Sequence, residues 1–109
     1  MVNNRAKMSR SNVKARRWME AHGFEDITVF GHSRFQSDLH FQEKEFDGIA
    51  SHNNKVVLFQ VKTNCKSTKK IILDYKTMSE RFGIEVYWFN AVDRKGLEIN
   101  NQPAESYLL

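Results

Sequence analysis

The chain has a single cysteine and no long apolar run, and each scarcity narrows what it can be. A lone Cys65 excludes an internal disulfide framework and suits a reducing compartment; the thiol reads as structural or incidental rather than reactive. No apolar stretch approaches the roughly 18 residues of a membrane span. The basic N-terminus lacks the apolar core of a secretion signal. A soluble, cytoplasmic protein with no membrane contact is expected. Internal repeats, low-complexity segments and linkers are also missing. This points to one domain over 1–109, with a basic arm at 1–8 and a C-terminal tail at 101–109. The four histidines, His22, His32, His40 and His52, lack zinc-site spacing and read as surface or satisfied side chains.

What the chain does have is enough apolar residues for a core and an uneven charge. With 109 residues, 40% of them hydrophobic and 12% aromatic, it should bury about 65% of its unfolded surface and fold without staples. The net charge of +4 permits nucleic-acid binding without demanding it. Its distribution says more. Arg5, Lys7, Arg10, Lys14, Arg16 and Arg17 all precede the first acidic residue, Glu20, and Lys66, Lys69 and Lys70 follow closely after Lys62. These clusters read as phosphate contacts, with an ordinary solvated surface as the alternative.

Periodicity sets out the elements. Ala15, Trp18, Met19 and His22 follow helical spacing up to Gly23, predicting a first helix over 9–22. A strand is expected at 27–30, followed by a polar loop at 31–34. Residues 36–44 read as either a loop or the start of the next strand. A second helix, capped by Ser67 or Thr68 and ended by Gly83, would place Ile71, Tyr75, Met78 and Phe82 on one face. Strands at 84–89 and, as a short edge, 97–99 complete the order α, β, β, β, α, β with a possible final β. Tyr107-Leu108-Leu109 could dock on a core edge or a partner.

The chemistry is concentrated in one expected hairpin. The apolar strand 55–62 ends in Gln60-Val61-Lys62, and Asp47 lies thirteen positions before Gln60. Asn tolerates positive φ, so Asn53-Asn54 suit a two-residue turn. Facing residues then have numbers summing to 107, with Asp47 opposite Gln60 and Glu45 opposite Lys62 on one face. Facing Cβ atoms lie roughly 4.5 to 5.5 Å apart, close enough for Asp47 and Gln60 to hold one cation. Phe46, Val57, Phe59 and Val61 would take the other face as core. A carboxylate, an amide oxygen and the Val61 backbone carbonyl suit Mg2+, or Mn2+, which keeps waters and adds a substrate phosphate. Because Gln60 is neutral, metal affinity without DNA should be weak. Lys62 could activate the attacking water or steady charge developing on the phosphate.

At these residues the chain resembles the PD-(D/E)XK nuclease superfamily, with Gln60 standing where most members carry Glu. The element order is similar to that of archaeal-type Holliday junction resolvases over residues 9–92, including the Asp47-Gly48-Ile49-Ala50 strand. The resemblance implies an α/β, restriction-endonuclease-like αβββαβ core with a mixed central sheet flanked by helices. It also implies a metal-dependent DNA endonuclease of recombination or repair, acting on branched or structured DNA as a homodimer. Asp47, Gln60, Lys62 and Glu45 would be its catalytic set. Ser33 and Arg34 match the loop that helps bind the scissile strand, and Arg10, Lys14, Arg17, Lys66, Lys69 and Lys70 would bind DNA. Resolvases place a catalytic Glu about eleven residues before the Gly-Phe that ends the first helix. Here that position is Asn12, and Glu45 is the candidate replacement, or else a simple salt-bridge partner of Lys62. The alternative reading is a catalytically inactive nuclease fold that still binds DNA; a third is a protein-interaction domain using the C-terminal end.

Overall fold

The computed structural model describes residues 4–30, 39–42 and 44–107, with side chains described from Arg10 onward except at 39–40. A long helix α1 (Asn4–Ala21) leads into β1 (Glu25–Val29). After the small hairpin of β2 (Leu39–Phe41) and β3 (Lys44–Phe46) come β4 (Gly48–His52) and β5 (Lys55–Thr63). The second helix, α2 (Lys69–Phe82), then connects to β6 (Glu85–Val92), β7 (Gly96–Ile99), β8 (Gln102–Pro103) and a 3-10 turn over Ala104–Ser106. Among the described residues, no helix is long and apolar enough to cross a membrane.

The main sheet has the order β1-β4-β5-β6-β7-β8, and β2 and β3 form a separate two-stranded sheet. It is mixed: β5 and β6 run parallel while the other pairs are antiparallel. Residues Val57 to Val61 of β5 are buried without interruption, because both faces of this strand are covered. On one face, Ala15 and Met19 of α1 pack with Val57, Phe59, Val61, Phe89 and Ile99. On the other, Tyr75 and Met78 of α2 pack with Phe46, Leu58, Val86 and Trp88. The fold is therefore α/β, a mixed six-stranded sheet between two helices.

Local sequence signals account for the boundaries. Asn53 and Asn54 both take positive φ, 51° and 65°, and close a two-residue turn with His52 opposite Lys55. Thr68 Oγ1 accepts the Ile71 N–H at 3.2 Å, and Gly83 ends α2 at φ 68°. The first helix begins at Asn4, inside the span read from sequence as an arm, since Arg5, Ala6, Lys7 and Met8 are all good helix formers. The strand at 96–99 is not the edge, because β8 pairs outside it, with Pro103 at the rim where a missing N–H is harmless. Tyr107 packs edge-on against Tyr87, with ring centroids 6.1 Å apart; Leu108 and Leu109 lie outside the described residues.

One side chain lies on the opposite face from that expected. Phe46 packs against α2 with Leu58 rather than with Val57, Phe59 and Val61. The cause is an irregularity at Asp47: its N–H bonds to the Phe59 carbonyl at 2.8 Å while Gly48 is already the register partner of Phe59. Two residues oppose one, as in a β-bulge, and the alternation of faces is reset there.

Candidate active site

The bulge builds the site. Beyond Asp47 the chain leaves β4, and Lys44–Phe46 turns away to pair with β2. On that side β5 runs on without a strand neighbour among the described residues. In a two-residue hairpin closed at His52 and Lys55, alternate residues of β5 direct both peptide groups at β4. Val61 therefore points its N–H and its C=O at the gap. The N–H is taken by the Asp47 carboxylate, whose Oδ2 accepts it at 2.7 Å. Asp47 thus brackets Gln60, bonded through its own N–H to Phe59 and through its side chain to Val61. The Asp47 carboxylate and the Val61 carbonyl, two hard oxygens, share one edge.

Gln60 and Lys62 lie on the α2 face, in a cleft of about 250 Å³ lined by Lys44, Glu45, Gln60, Lys62, Tyr75 and Trp88, with Ile71. The Gln60 side chain meets the Glu45 carbonyl on one side and the Lys62 ammonium on the other. The orientation that satisfies both has the amide nitrogen donating to Glu45 at 2.8 Å and the amide oxygen accepting from Lys62 at 3.2 Å. The Lys62 Nζ also lies 6.0 Å from the Trp88 ring centroid. Glu45 is exposed. Among the described residues Glu45 and Lys62 form no ion pair, so the salt bridge offered as one of the two roles of Glu45 is not made, and the Lys62 ammonium meets Gln60 instead. The Tyr75 hydroxyl is pushed above its ordinary pKa first by burial and then by the charge of Asp47.

Asn12, the helix position of interest, is half-buried, and its Oδ1 is fully buried with no hydrogen-bond partner among the described residues. Its neighbour Ser11 bonds Thr63, just past Lys62, at 2.5 Å, which puts Asn12 at the end of β5 that carries the motif. Trp18 leans on Phe89 of β6, and Asn12 lies about 120° around the helix from Trp18. An orphaned acceptor there favours a cation or a proton donor. No three His, Cys, Asp or Glu side chains among the described residues converge as a metal cluster. The oxygen set fits a hard ion that keeps most of its waters, and does not fit zinc.

Both helix N-termini sit at this end of the sheet. Arg10, Lys14 and Arg17 are exposed and spaced i, i+4, i+7 along one side of α1, and Lys66, Lys69 and Lys70 are exposed around the start of α2. Ser33 and Arg34 lie outside the described residues. His32 and the His40 side chain lie outside the described residues, and the other two histidines do not enter the site. His22 stacks on Trp18 at 4.2 Å. His52 is buried against Phe24 and bonded to Glu85, which also accepts from the Tyr87 hydroxyl at 2.8 Å. Sequence reasoning missed that cluster and the bulge. The only local signal for the bulge was Gly48, where a Cβ would lie 2.3 Å from Phe59 and 2.4 Å from the Thr28 carbonyl.

No protein-family model matches the chain, and no curated protein matches it either. A solved structure does: the Holliday junction resolvase Hjc of the archaeal hyperthermophile Archaeoglobus fulgidus, at 14% identity, covering 89% of this chain and 77% of that one with a TM-score of 0.54. At that identity the likeness is one of architecture, and the chain has a resolvase-like nuclease fold.

Proposed function

We propose that this chain is a divalent-metal-dependent endonuclease that hydrolyses phosphodiester bonds in branched or otherwise structured DNA. The observation that carries the reading is the break in β4. It leaves the Asp47 carboxylate and the Val61 carbonyl on one open edge, beside Lys62, in a fold shared with a junction resolvase. Asp47 and Val61 would hold Mg2+ or Mn2+, with the Asn12 amide oxygen as a neutral neighbour. When bound, such an ion polarises the phosphate and acidifies a water.

The chain's own residues do the rest. The basic flanks, Arg10 and Lys14 on one side and Lys66, Lys69 and Lys70 on the other, bind phosphates on either side of the edge. Lys62, held by Gln60 and Trp88, places its ammonium where charge builds on the phosphate oxygens. Water adds to phosphorus, one P–O ester bond breaks, and the departing oxygen takes a proton. A homodimer would present two such edges to two strands.

The test is incubation with four-way junction, flap and duplex DNA in magnesium or manganese. Cleavage of the branched substrates, abolished by Asp47→Ala and by Lys62→Ala, supports the reading. No cleavage with either metal would defeat it. A second reading, a nuclease fold that only binds DNA, is favoured by the neutral side chains at Asn12 and Gln60. It predicts salt-sensitive binding without cleavage, and an affinity independent of salt would count against it.

A further inference from the structure

The glutamine at position 60 invites the view that it is a weakened metal ligand. Its surroundings give it a different task. Gln60 is 7% exposed, and its amide nitrogen faces the main-chain oxygen of Glu45 at 2.8 Å, a group that can only accept. A carboxylate in that place has no proton to give, and would set two oxygens against each other in a buried contact. The strand that supplies the Glu45 carbonyl has left the main sheet, so this bond replaces a ladder rung that β3 and β5 no longer share. The other end of the amide accepts from Lys62 Nζ at 3.2 Å. One side chain therefore ties the β2–β3 hairpin to β5 and fixes the lysine over the cleft.

We infer that Gln60 is a positioning residue, required as a hydrogen-bond donor, and that glutamate cannot replace it in this chain. The hairpin has other anchors: Phe46 is fully buried, Phe41 packs edge-on against Phe82 at 5.1 Å, and Lys44 pairs with Asp74 at 3.1 Å. All of these hold it to α2 or the core. Gln60 is the tether beside Lys62, so losing it frees the wall of the cleft at Glu45 without unfolding the domain. The catalytic consequence rests on the nuclease reading; the tether does not.

The experiment uses NMR and kinetics on the whole chain. In the unaltered protein, a scalar coupling across the hydrogen bond should connect the Gln60 side-chain nitrogen to the Glu45 carbonyl carbon. Gln60→Glu and Gln60→Met should both speed amide exchange in Lys44–Phe46 about tenfold, the effect of one lost hydrogen bond, and leave β5 and β6 unchanged. In cleavage assays Gln60→Met should lower kcat about tenfold or more while the magnesium concentration for half-maximal rate stays within twofold. If Gln60→Glu fails to fold, Gln60→Met carries the same expectations. The inference is overturned by wild-type exchange in β3 in either folded variant, by absence of the coupling, or by a Gln60→Glu protein that binds magnesium more tightly and cuts faster. A protein that never cuts would remove the nuclease reading, yet the coupling and exchange results would still decide the role of Gln60.

Discussion

Replacing Gly48 with alanine probes the strand break that positions Asp47. The added Cβ would lie 2.3 Å from Phe59 Cζ, 2.7 Å from Phe59 Cε2 and 2.4 Å from the Thr28 carbonyl oxygen. Phe59 is fully buried and in ring contact with Phe89, so it cannot swing clear. Thr28 O belongs to the backbone of β1, which pairs with β4 at this level. Relief therefore requires β1 and β4 to separate, or Phe59 to leave its rotamer. Overpacking of this kind costs about 3 kcal/mol. In a domain of this size that lowers Tm by roughly 10–20 °C. A matched control is Gly23→Ala, where φ is 83° but nothing lies within 4 Å of a new Cβ; it should cost only about 1 kcal/mol, from backbone strain alone. Thermal and urea unfolding of both variants measures the difference. Equal losses, or a Gly48→Ala protein within 3 °C of the parent (roughly 0.5 kcal/mol), would refute the geometry of the bulge.

Asp47→Asn should lower the Tyr75 pKa, read by ultraviolet titration, because the carboxylate charge helps raise it; an unchanged titration would place Asp47 elsewhere. Tyr75 and Tyr87 are both held above the ordinary tyrosine value, Tyr87 by burial and then by its bond to Glu85. Groups whose folded pKa is raised give stability that is complete below about pH 10 and lost as pH rises beyond it. The urea midpoint should therefore fall as the pH rises above about 10, and fall less in Tyr87→Phe. Thr68→Ala removes the cap on Ile71 N and should destabilise by about 1 kcal/mol; a change under about 0.3 kcal/mol would mean the cap contributes nothing.

Much of the scaffold is legible in the sequence because its signals are local. Two adjacent asparagines with positive φ fix the turn, and Thr68 and Gly83 delimit α2. The register from His52–Lys55 to Gly48–Phe59 follows from that turn alone; at Asp47 the bulge breaks it, and the expected facing of Asp47 and Gln60 gives way to Asp47 bonding Phe59 and Val61 on either side of Gln60. What sequence does not reveal depends on residues far apart in the chain. Alternation of apolar and polar residues cannot report a bulge, so Phe46 was expected on the wrong face. The donor role of Gln60 exists only because β3 turns its Glu45 carbonyl back toward β5. The bond between His52 and Glu85 spans 33 residues, with no spacing rule to announce it. Strands as short as β2, β3 and β8 carry too few residues to show a period.

The proposed role of the edge formed by Asp47 and Val61 is to hold the divalent ion. Paramagnetic broadening by Mn2+, measured on the labelled chain with a non-cleavable four-way junction bound, tests it most directly. Selective loss of the Asp47, Gly48, Val61 and Lys62 amide signals is expected, abolished by Asp47→Ala. Broadening that spares these residues, or that survives Asp47→Ala, would contradict it.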